Sequence, residues 1–224
     1  MRHIWIVVPA YNEAEILGET LDQLRLVPGH VIVVDDGSTD ATFAIARARG
    51  VSIVKHPINL GQGAALATGI AVALDRGATH ICTFDADGQH DPSTLGELVS
   101  ALDTEGVDVA LASRFLGTST DMSIIRKAVL RMAVVFTRLH TGLNLTDTHN
   151  GLRAFTRSAA TKIQIHQPRM AHGSEILAQI GKLQIGYVEV PTIVRYTAYS
   201  RRKGQSLFDC VKIIFDLAYG SIAR

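Results

Sequence analysis

Asp85 and Asp87 stand one residue apart directly behind the apolar run Ile81-Cys82-Thr83-Phe84, which puts two carboxylates at the open end of an expected buried strand. Open α/β sheets bind their ligands at that end. A carboxylate turned unpaired into a core is strongly disfavoured, so the pair must meet solvent, a cation, or both. A hard divalent ion such as Mg²⁺ or Mn²⁺ takes oxygen from one or two carboxylates and fills its other positions with phosphate oxygens and water. Gln89 offers a further oxygen two residues on. Asp91, by contrast, suits the N-cap of a helix beginning at Pro92.

Two other polar clusters follow expected strands. Pro9-Ala10-Tyr11-Asn12-Glu13 comes after the first and Asp35-Asp36-Gly37-Ser38-Thr39-Asp40 after the second. The second cluster reads as a tight βα turn, with Gly37 at the bend and Ser38 or Asp40 capping the next helix. That turn does not need two consecutive acids, and a carboxylate there can accept from a nucleobase N–H or a ribose hydroxyl. Tyr11 offers a flat face to a base, while Asn12 suits a cap. The GxG of Asn59-Leu60-Gly61-Gln62-Gly63 lacks the third glycine of a dinucleotide fingerprint, Leu66 standing there, and a loop precedes it. It reads as the start of a helix packed closely on the sheet.

The elements that must position these clusters alternate. Strands are expected at 4–8, 31–34, 51–54, 81–84 and 107–112, and helices at 14–26, 40–49, 64–74 and 94–102, the pattern of βαβ units and a mainly parallel sheet. Later come a long cationic helical stretch over 122–145, a short strand at 151–155, helical segments around Ala159 and over 174–183, an extended pair at 187–196 broken at Pro191, and a final amphipathic helix over 206–219. With 224 residues, 47% of them apolar, the chain is expected to form a single α/β domain over 1–224. Cys82 and Cys210 have no metal-ligand spacing, which fits a reducing, cytoplasmic setting. No stretch approaches the roughly 20 apolar residues of a membrane span. The net charge of +1 divides sharply, to −9 over residues 1–112 and +10 over 113–224. An acidic half suits a metal and a basic half an anionic partner; without interleaved aromatics that partner is not nucleic acid.

PAYNE, DDGSTD and DADGQ, in this order at successive strand ends, resemble the family 2 glycosyltransferases of the GT-A fold. The resemblance implies a Rossmann-like mainly parallel sheet flanked by helices. It implies that Pro9, Tyr11, Glu13 and Asp36 contact the nucleoside of a UDP- or GDP-linked sugar. Asp85, Ala86, Asp87 and Gln89 would surround the diphosphate and a Mg²⁺ or Mn²⁺ ion, with Asp87 and Gln89 on the metal. Ser113-Arg114-Phe115, the cationic helix, Asp147-Thr148-His149-Asn150-Gly151-Leu152-Arg153 and Glu189-Val190-Pro191 followed by KGQS are similar to the polyprenyl-phosphate branch, that of dolichol-phosphate mannosyltransferases and bactoprenol-phosphate glucosyltransferases. By that likeness Arg114, Arg126 and Arg131 receive a lipid phosphate, and Arg201 and Arg202 close over the donor diphosphate.

The residues themselves fit that placement. Lys127, Arg131 and Arg138 share one helical face with Arg126 beside them, a pattern suited either to a solvated helix or to one lying among lipid headgroups. The final helix has only a thin polar stripe, Asp209, Lys212 and Asp216, so a membrane surface, a small membrane-protein partner or a second copy would cover it. A phosphate acceptor, already ionised near neutral pH, needs no strong base. Glu175 could therefore orient an arginine or the sugar, or serve as base for a hydroxyl acceptor; His149 and His172 read as structural. The expectation is an inverting, metal-dependent transferase at the cytoplasmic face of a membrane. A glycan or soluble acceptor and a non-catalytic nucleotide-sugar-binding subunit are the alternatives.

Overall fold

The computed structural model describes residues 2–120, 124–148, 150–196 and 199. The elements run β1 (Ile4–Ala10), α1 (Leu17–Leu24), β2 (His30–Asp35), α2 (Thr42–Ala48), β3 (Ser52–Lys55), α3 (Gln62–Asp75), β4 (His80–Thr83), α4 (Thr94–Ala101), β5 (Val109–Thr120), α5 (Ile124–Thr141), β6 (Arg153–Thr156), α6 (Arg157–Lys162), α7 (His172–Lys182) and β7 (Tyr187–Arg195). The expected basic loop with Arg201 and Arg202, the final helix and His149 lie outside the described residues.

One seven-stranded sheet, in the order β3-β2-β1-β4-β6-β5-β7, runs through both charge halves. All neighbours are parallel except β6, which lies antiparallel between β4 and β5. Arg153, at the start of β6, therefore stands opposite Thr83, at the end of β4. The carboxyl ends of β1, β2, β4 and β5 and the amino end of β6 share one edge. Helices cover both faces. Leu17, Leu21 and Leu24 of α1 and Leu95 and Leu98 of α4 pack on one side of the sheet. Leu66 and Ala73 of α3, Ala159 of α6 and Ile176, Leu177 and Ile180 of α7 pack on the other. Strands buried on both faces explain why the first run, IWIVVPA, shows almost no alternation. At Gly69 a Cβ would collide with Val7 and crowd Val34, so α3 owes its close seat on the sheet to that glycine.

Two expectations need correction. Pro191 does not break the last extended segment, because β7 is an edge strand and Pro191 is exposed there, where a missing N–H costs no ladder bond. The irregularity falls instead on β5, between Ser113 and Thr118, so this strand runs well beyond Ala112. In α5 the packed side is Leu130, Ala133, Val134 and Thr137, while Ile124, Ile125, Met132, Val135 and Leu139 are exposed, Ile124 at 87% and Leu139 at 83%.

Candidate active site

The loops after β1 and β2 are stitched to each other. Asn12, in the left-handed region at φ 53°, donates its N–H to Ser38 Oγ at 2.9 Å and accepts from Thr39 N at 2.9 Å. Asp40 accepts from Ala14 N at 3.1 Å and from Thr42 N at 2.9 Å, so Asp40, not Ser38, holds the start of α2. Pro9 is buried at the end of β1, Tyr11 is exposed, and Glu13 accepts from the Tyr199 hydroxyl at 2.5 Å, which sets that tyrosine against the first loop.

Asp36, expected to face a nucleoside, is buried and its carboxylate is engaged within the protein. Oδ1 accepts from Leu60 N at 3.0 Å and contacts His56 Nδ1 at 2.7 Å, and Oδ2 accepts from Gly61 N at 2.7 Å. It therefore fixes the 59–61 loop that opens α3. Its neighbour Asp35 accepts from Ser38 N at 3.0 Å with Oδ1, but its buried Oδ2 has no hydrogen-bond partner.

Past β4 the chain leaves the sheet at Phe84, and the two expected carboxylates diverge in environment. Asp85 accepts from Gln62 Nε2 at 2.8 Å, meets His90 Nε2 at 3.3 Å, and lies so close over Gly151 that a Cβ there would collide with its carboxylate. Burial alone would raise the Asp85 carboxyl. The His90 hydrogen bond, with the electrostatic influence of His90, His172 and Arg153, outweighs burial and holds it below the usual carboxylate range. For Asp87 the balance is reversed: burial, then the Asp85 charge, outweigh His90 and the Gln89 N–H and push it up to about 6. Its Oδ1 accepts from Gln89 N at 3.1 Å and its Oδ2 from the Gln89 side-chain amide. Ala86 is buried and its carbonyl accepts from Thr20 Oγ1 at 3.3 Å. Asp91 accepts from Ser93 N at 3.0 Å, just ahead of α4, close to the cap expected of it. Two like charges held close together in a half-buried site are what a divalent cation would relieve. Among the described residues no three His, Cys, Asp or Glu side chains gather as a metal cage. Two carboxylates and the Gln89 amide oxygen would suit a hard ion whose other positions are filled by phosphate and water.

Two strands away on the same edge, Arg114 is buried. Its N–H and Nε donate to Asp147 Oδ2 at 3.1 and 2.6 Å, and Nη1 donates to Tyr196 Oη at 2.8 Å. Between the two groups sits Arg153, 4% exposed, with Nη1 lacking a partner and no ion pair within 4.0 Å among the described residues. Burial pulls its pKa down, and the nearby Asp85 and Asp147 only partly offset that. His172, buried at the start of α7, is pulled to about 4 first by burial and then by Arg153, so it is neutral near pH 7. Sequence reading gave Arg153 no role, although an arginine opening a short apolar strand was the available signal.

Not every expected residue joins this cluster. Arg131 is exposed on α5, and the side chain of Arg126 is outside the described set. Glu175 is turned to the 163–171 loop, where Oε2 accepts from His166 N at 3.0 Å and Gln167 N at 2.9 Å. That loop in turn caps α3, Ala64 N donating to Pro168 O at 3.1 Å. Glu175 is accordingly a loop clamp in this geometry, one step removed from Gln62 and Asp85.

A mostly parallel sheet with helices on both faces and paired carboxylates at its carboxyl edge defines a GT-A type of transferase fold. The chain belongs to glycosyl transferase family 2, whose sequence model matches residues 5–164. It is 38% identical to an uncharacterized protein of Methanocaldococcus jannaschii, over 96% of this chain and 90% of that one. It is 32% identical to the UDP-N-acetylglucosamine–dolichyl-phosphate N-acetylglucosaminyltransferase of Methanococcus voltae, over 96% and 94%. It is 33% identical to the polyprenol monophosphomannose synthase of Mycolicibacterium smegmatis, over 71% and 64%. In fold it is similar to glucosyl-3-phosphoglycerate synthase from Mycobacterium tuberculosis in complex with Mg²⁺ and uridine diphosphate, with a TM-score of 0.75 at 23% identity, over 97% of this chain and 77% of that one.

Proposed function

We propose that the chain, acting as one catalytic unit over 1–224, transfers a sugar with inversion from a UDP- or GDP-linked donor to a polyprenyl phosphate at a membrane surface. The observation that carries this reading is the placement of the Asp85/Asp87 pair and the buried Arg114 on one sheet edge, two strands apart. Relatives named for dolichyl-phosphate and polyprenol substrates support it.

In the proposed reaction the nucleoside lies over Pro9, Tyr11 and Glu13, and the diphosphate reaches the loop of Asp85, Ala86, Asp87 and Gln89, where Arg201 and Arg202 would close over it. Asp85, kept ionised and oriented by Gln62 and His90, positions the donor. Asp87 and Gln89 would hold Mg²⁺ or Mn²⁺, which when bound supplies Lewis-acid stabilisation of the charge gathering on the departing diphosphate. Arg114, set by Asp147 and Tyr196, receives the acceptor phosphate with help from Arg126 and Arg131 of α5. One phosphate oxygen attacks the anomeric carbon opposite the breaking bond to the diphosphate oxygen. No side chain need remove a proton, since a phosphomonoester is largely dianionic near neutral pH.

The exposed face of α5 supports the membrane side of the reading. Ile124, Met132, Val135 and Leu139 recur at helical spacing beside Lys127 and Arg131, the amphipathic pattern of a helix lying at the headgroup level of a cytoplasmic leaflet. No helix among the described residues is long and apolar enough to cross a membrane. A small membrane-protein partner or a second copy could share that face.

The test is radiolabel transfer from a panel of UDP- and GDP-sugars to undecaprenyl phosphate in detergent with Mn²⁺ or Mg²⁺. Acid-labile label in the organic phase is expected, lost on chelation and in Asp87→Ala. Transfer only to water-soluble acceptors would refute the lipid reading.

A further inference from the structure

Glu189 lies in the middle of edge strand β7, between Val188 and Val190, opposite Leu111 of β5. An acid in such a pattern would ordinarily point to water. Instead its carboxylate gathers the donors of a loop from elsewhere in the chain. Thr146 N donates to Oε1 and to Oε2 at 2.8 Å each, Thr146 Oγ1 to Oε1 at 3.0 Å, and Asp147 N to Oε1 at 3.1 Å. Thr146 Oγ1 also lies 2.6 Å from Ser113 Oγ, the residue before Arg114. Asp147, leaving this anchored turn, is the residue that takes both the backbone N–H and the Nε of Arg114.

We propose that Glu189 is a positioning residue for the phosphate acceptor: it fixes the Thr146-Asp147 turn so that Asp147 holds the Arg114 guanidinium in place for the incoming phosphate. Tyr196, the residue directly after β7, holds Arg114 as well, its Oη accepting from Nη1 at 2.8 Å. β7 is thus the frame against which Arg114 is set. Hydrogen bonds to a charged acceptor are about twice as strong as neutral ones, and they fix the backbone of Thr146 and Asp147 beyond the point at which buried Leu145 anchors the chain in the core. A guanidinium that Asp147 no longer aims would still be present but displaced, and a misplacement of about 1 Å costs on the order of 100-fold in a reacting complex.

The inference rests on Arg114 as the phosphate ligand, so Glu189→Gln and Arg114→Met are measured side by side in the full chain, with undecaprenyl phosphate as acceptor. Glutamine keeps the size and one oxygen for the bonds to Oε1 but removes the charge that strengthens them and sets an amide N–H where Oε2 accepts from Thr146 N. Glu189→Gln is expected to raise the KM for undecaprenyl phosphate by about tenfold or more. The donor KM and Mn²⁺-dependent binding of UDP should stay within about twofold. Loss of folded protein would instead lower kcat and leave both KM values alone. An acceptor KM unchanged in Glu189→Gln but raised in Arg114→Met overturns the proposal and spares the phosphate site. Unchanged values in both variants, or no lipid-linked product from the wild type, overturn the two together. Should Glu189→Gln fail to fold, Thr146→Val, which removes the hydroxyl's bonds to Glu189 and to Ser113, is expected to give a smaller rise of the same kind that Ser113→Ala, which leaves the bond to Glu189 in place, does not reproduce; no rise in Thr146→Val, or an equal rise in Ser113→Ala, would refute the proposal.

Discussion

Gly151→Ala is the sharpest perturbation the geometry offers, because it adds one methyl group at the carboxylate of Asp85. Gly151 does not use a left-handed backbone, so alanine meets no conformational objection, and the effect is steric alone. The new Cβ would stand 2.7 Å from Asp85 Cγ and 2.8 Å from Oδ1, with Oδ2 closer still. Ordinary carbon contacts lie near 3.5 Å or beyond, so the carboxylate must retreat by roughly 1 Å. It cannot do so freely, being held by Gln62 and His90. The expected stability cost is that of modest overpacking, about 1–3 kcal/mol. The expected kinetic cost is about 100-fold in kcat/KM, as for a 1 Å displacement of a reacting partner. A thermal melt separates the two: a variant more than nine-tenths folded at the assay temperature, yet down about 100-fold in transfer, places the loss at Asp85. Activity within about threefold of wild type would refute the claim that this carboxylate must sit where it does.

Other substitutions give independent readings. Glu175→Gln keeps an oxygen for the His166 and Gln167 N–H groups, so kcat should stay within about threefold, whereas loss of a general base costs about 10²–10⁴; a drop of that size by steady-state kinetics would restore Glu175 as a base. Asp36→Asn faces three donors with half the acceptor capacity, and a loss of about 3 kcal/mol, a melting point roughly 6–12 °C lower, is expected; an unchanged melting point with lost UDP binding would mean the carboxylate serves the nucleoside alone. His172, pulled from 6.5 to about 4, takes up its proton more readily when unfolded. Its contribution is therefore complete above pH 6.5 and is lost as the pH falls toward 4, about 2 kcal/mol of it by pH 5. Denaturant melts at pH 7.5 and pH 5 should show that increment in the wild type and not in His172→Asn; equal increments would remove His172 from the account.

Much of this arrangement was legible in the chain because it is local. The first five strands and four helices follow from apolar runs and punctuation, and the polar cluster behind each strand falls on one edge by topology alone. Asp85 and Asp87 needed no more than their place after an apolar run. What escaped depends on pairing between distant segments. The antiparallel seat of β6 puts Arg153 near Asp85, and an arginine opening a short apolar strand does not by itself say which neighbour it will meet. Glu189 and Thr146 are 43 residues apart, and only the register of β7 on β5 makes them partners. Asp36 looked available because adjacent acids read as open, yet the Leu60 and Gly61 N–H groups and His56 claim its carboxylate. On α5 the cationic face was readable at once, but which apolar residues stay bare depended on how the helix packs.

The reversed strand β6 also has a bearing on how such a protein can be altered. Two interstrand spacings, roughly 10 Å, separate the β4 end with its carboxylates from the β5 end with its guanidinium, and the ladder does not let that gap close. Groups of opposite sign are thereby kept apart, so that the Arg114 guanidinium pairs with Asp147 and not with the carboxylates behind β4. The two sides are nevertheless tied together at the far edge, because Arg195 N at the end of β7 donates to Gln89 O at 2.9 Å and its guanidinium pairs with Asp91 at 3.1 Å. A change in β7 is therefore felt at the carboxylate loop as well as at Arg114, whereas β6 only sets the distance between them.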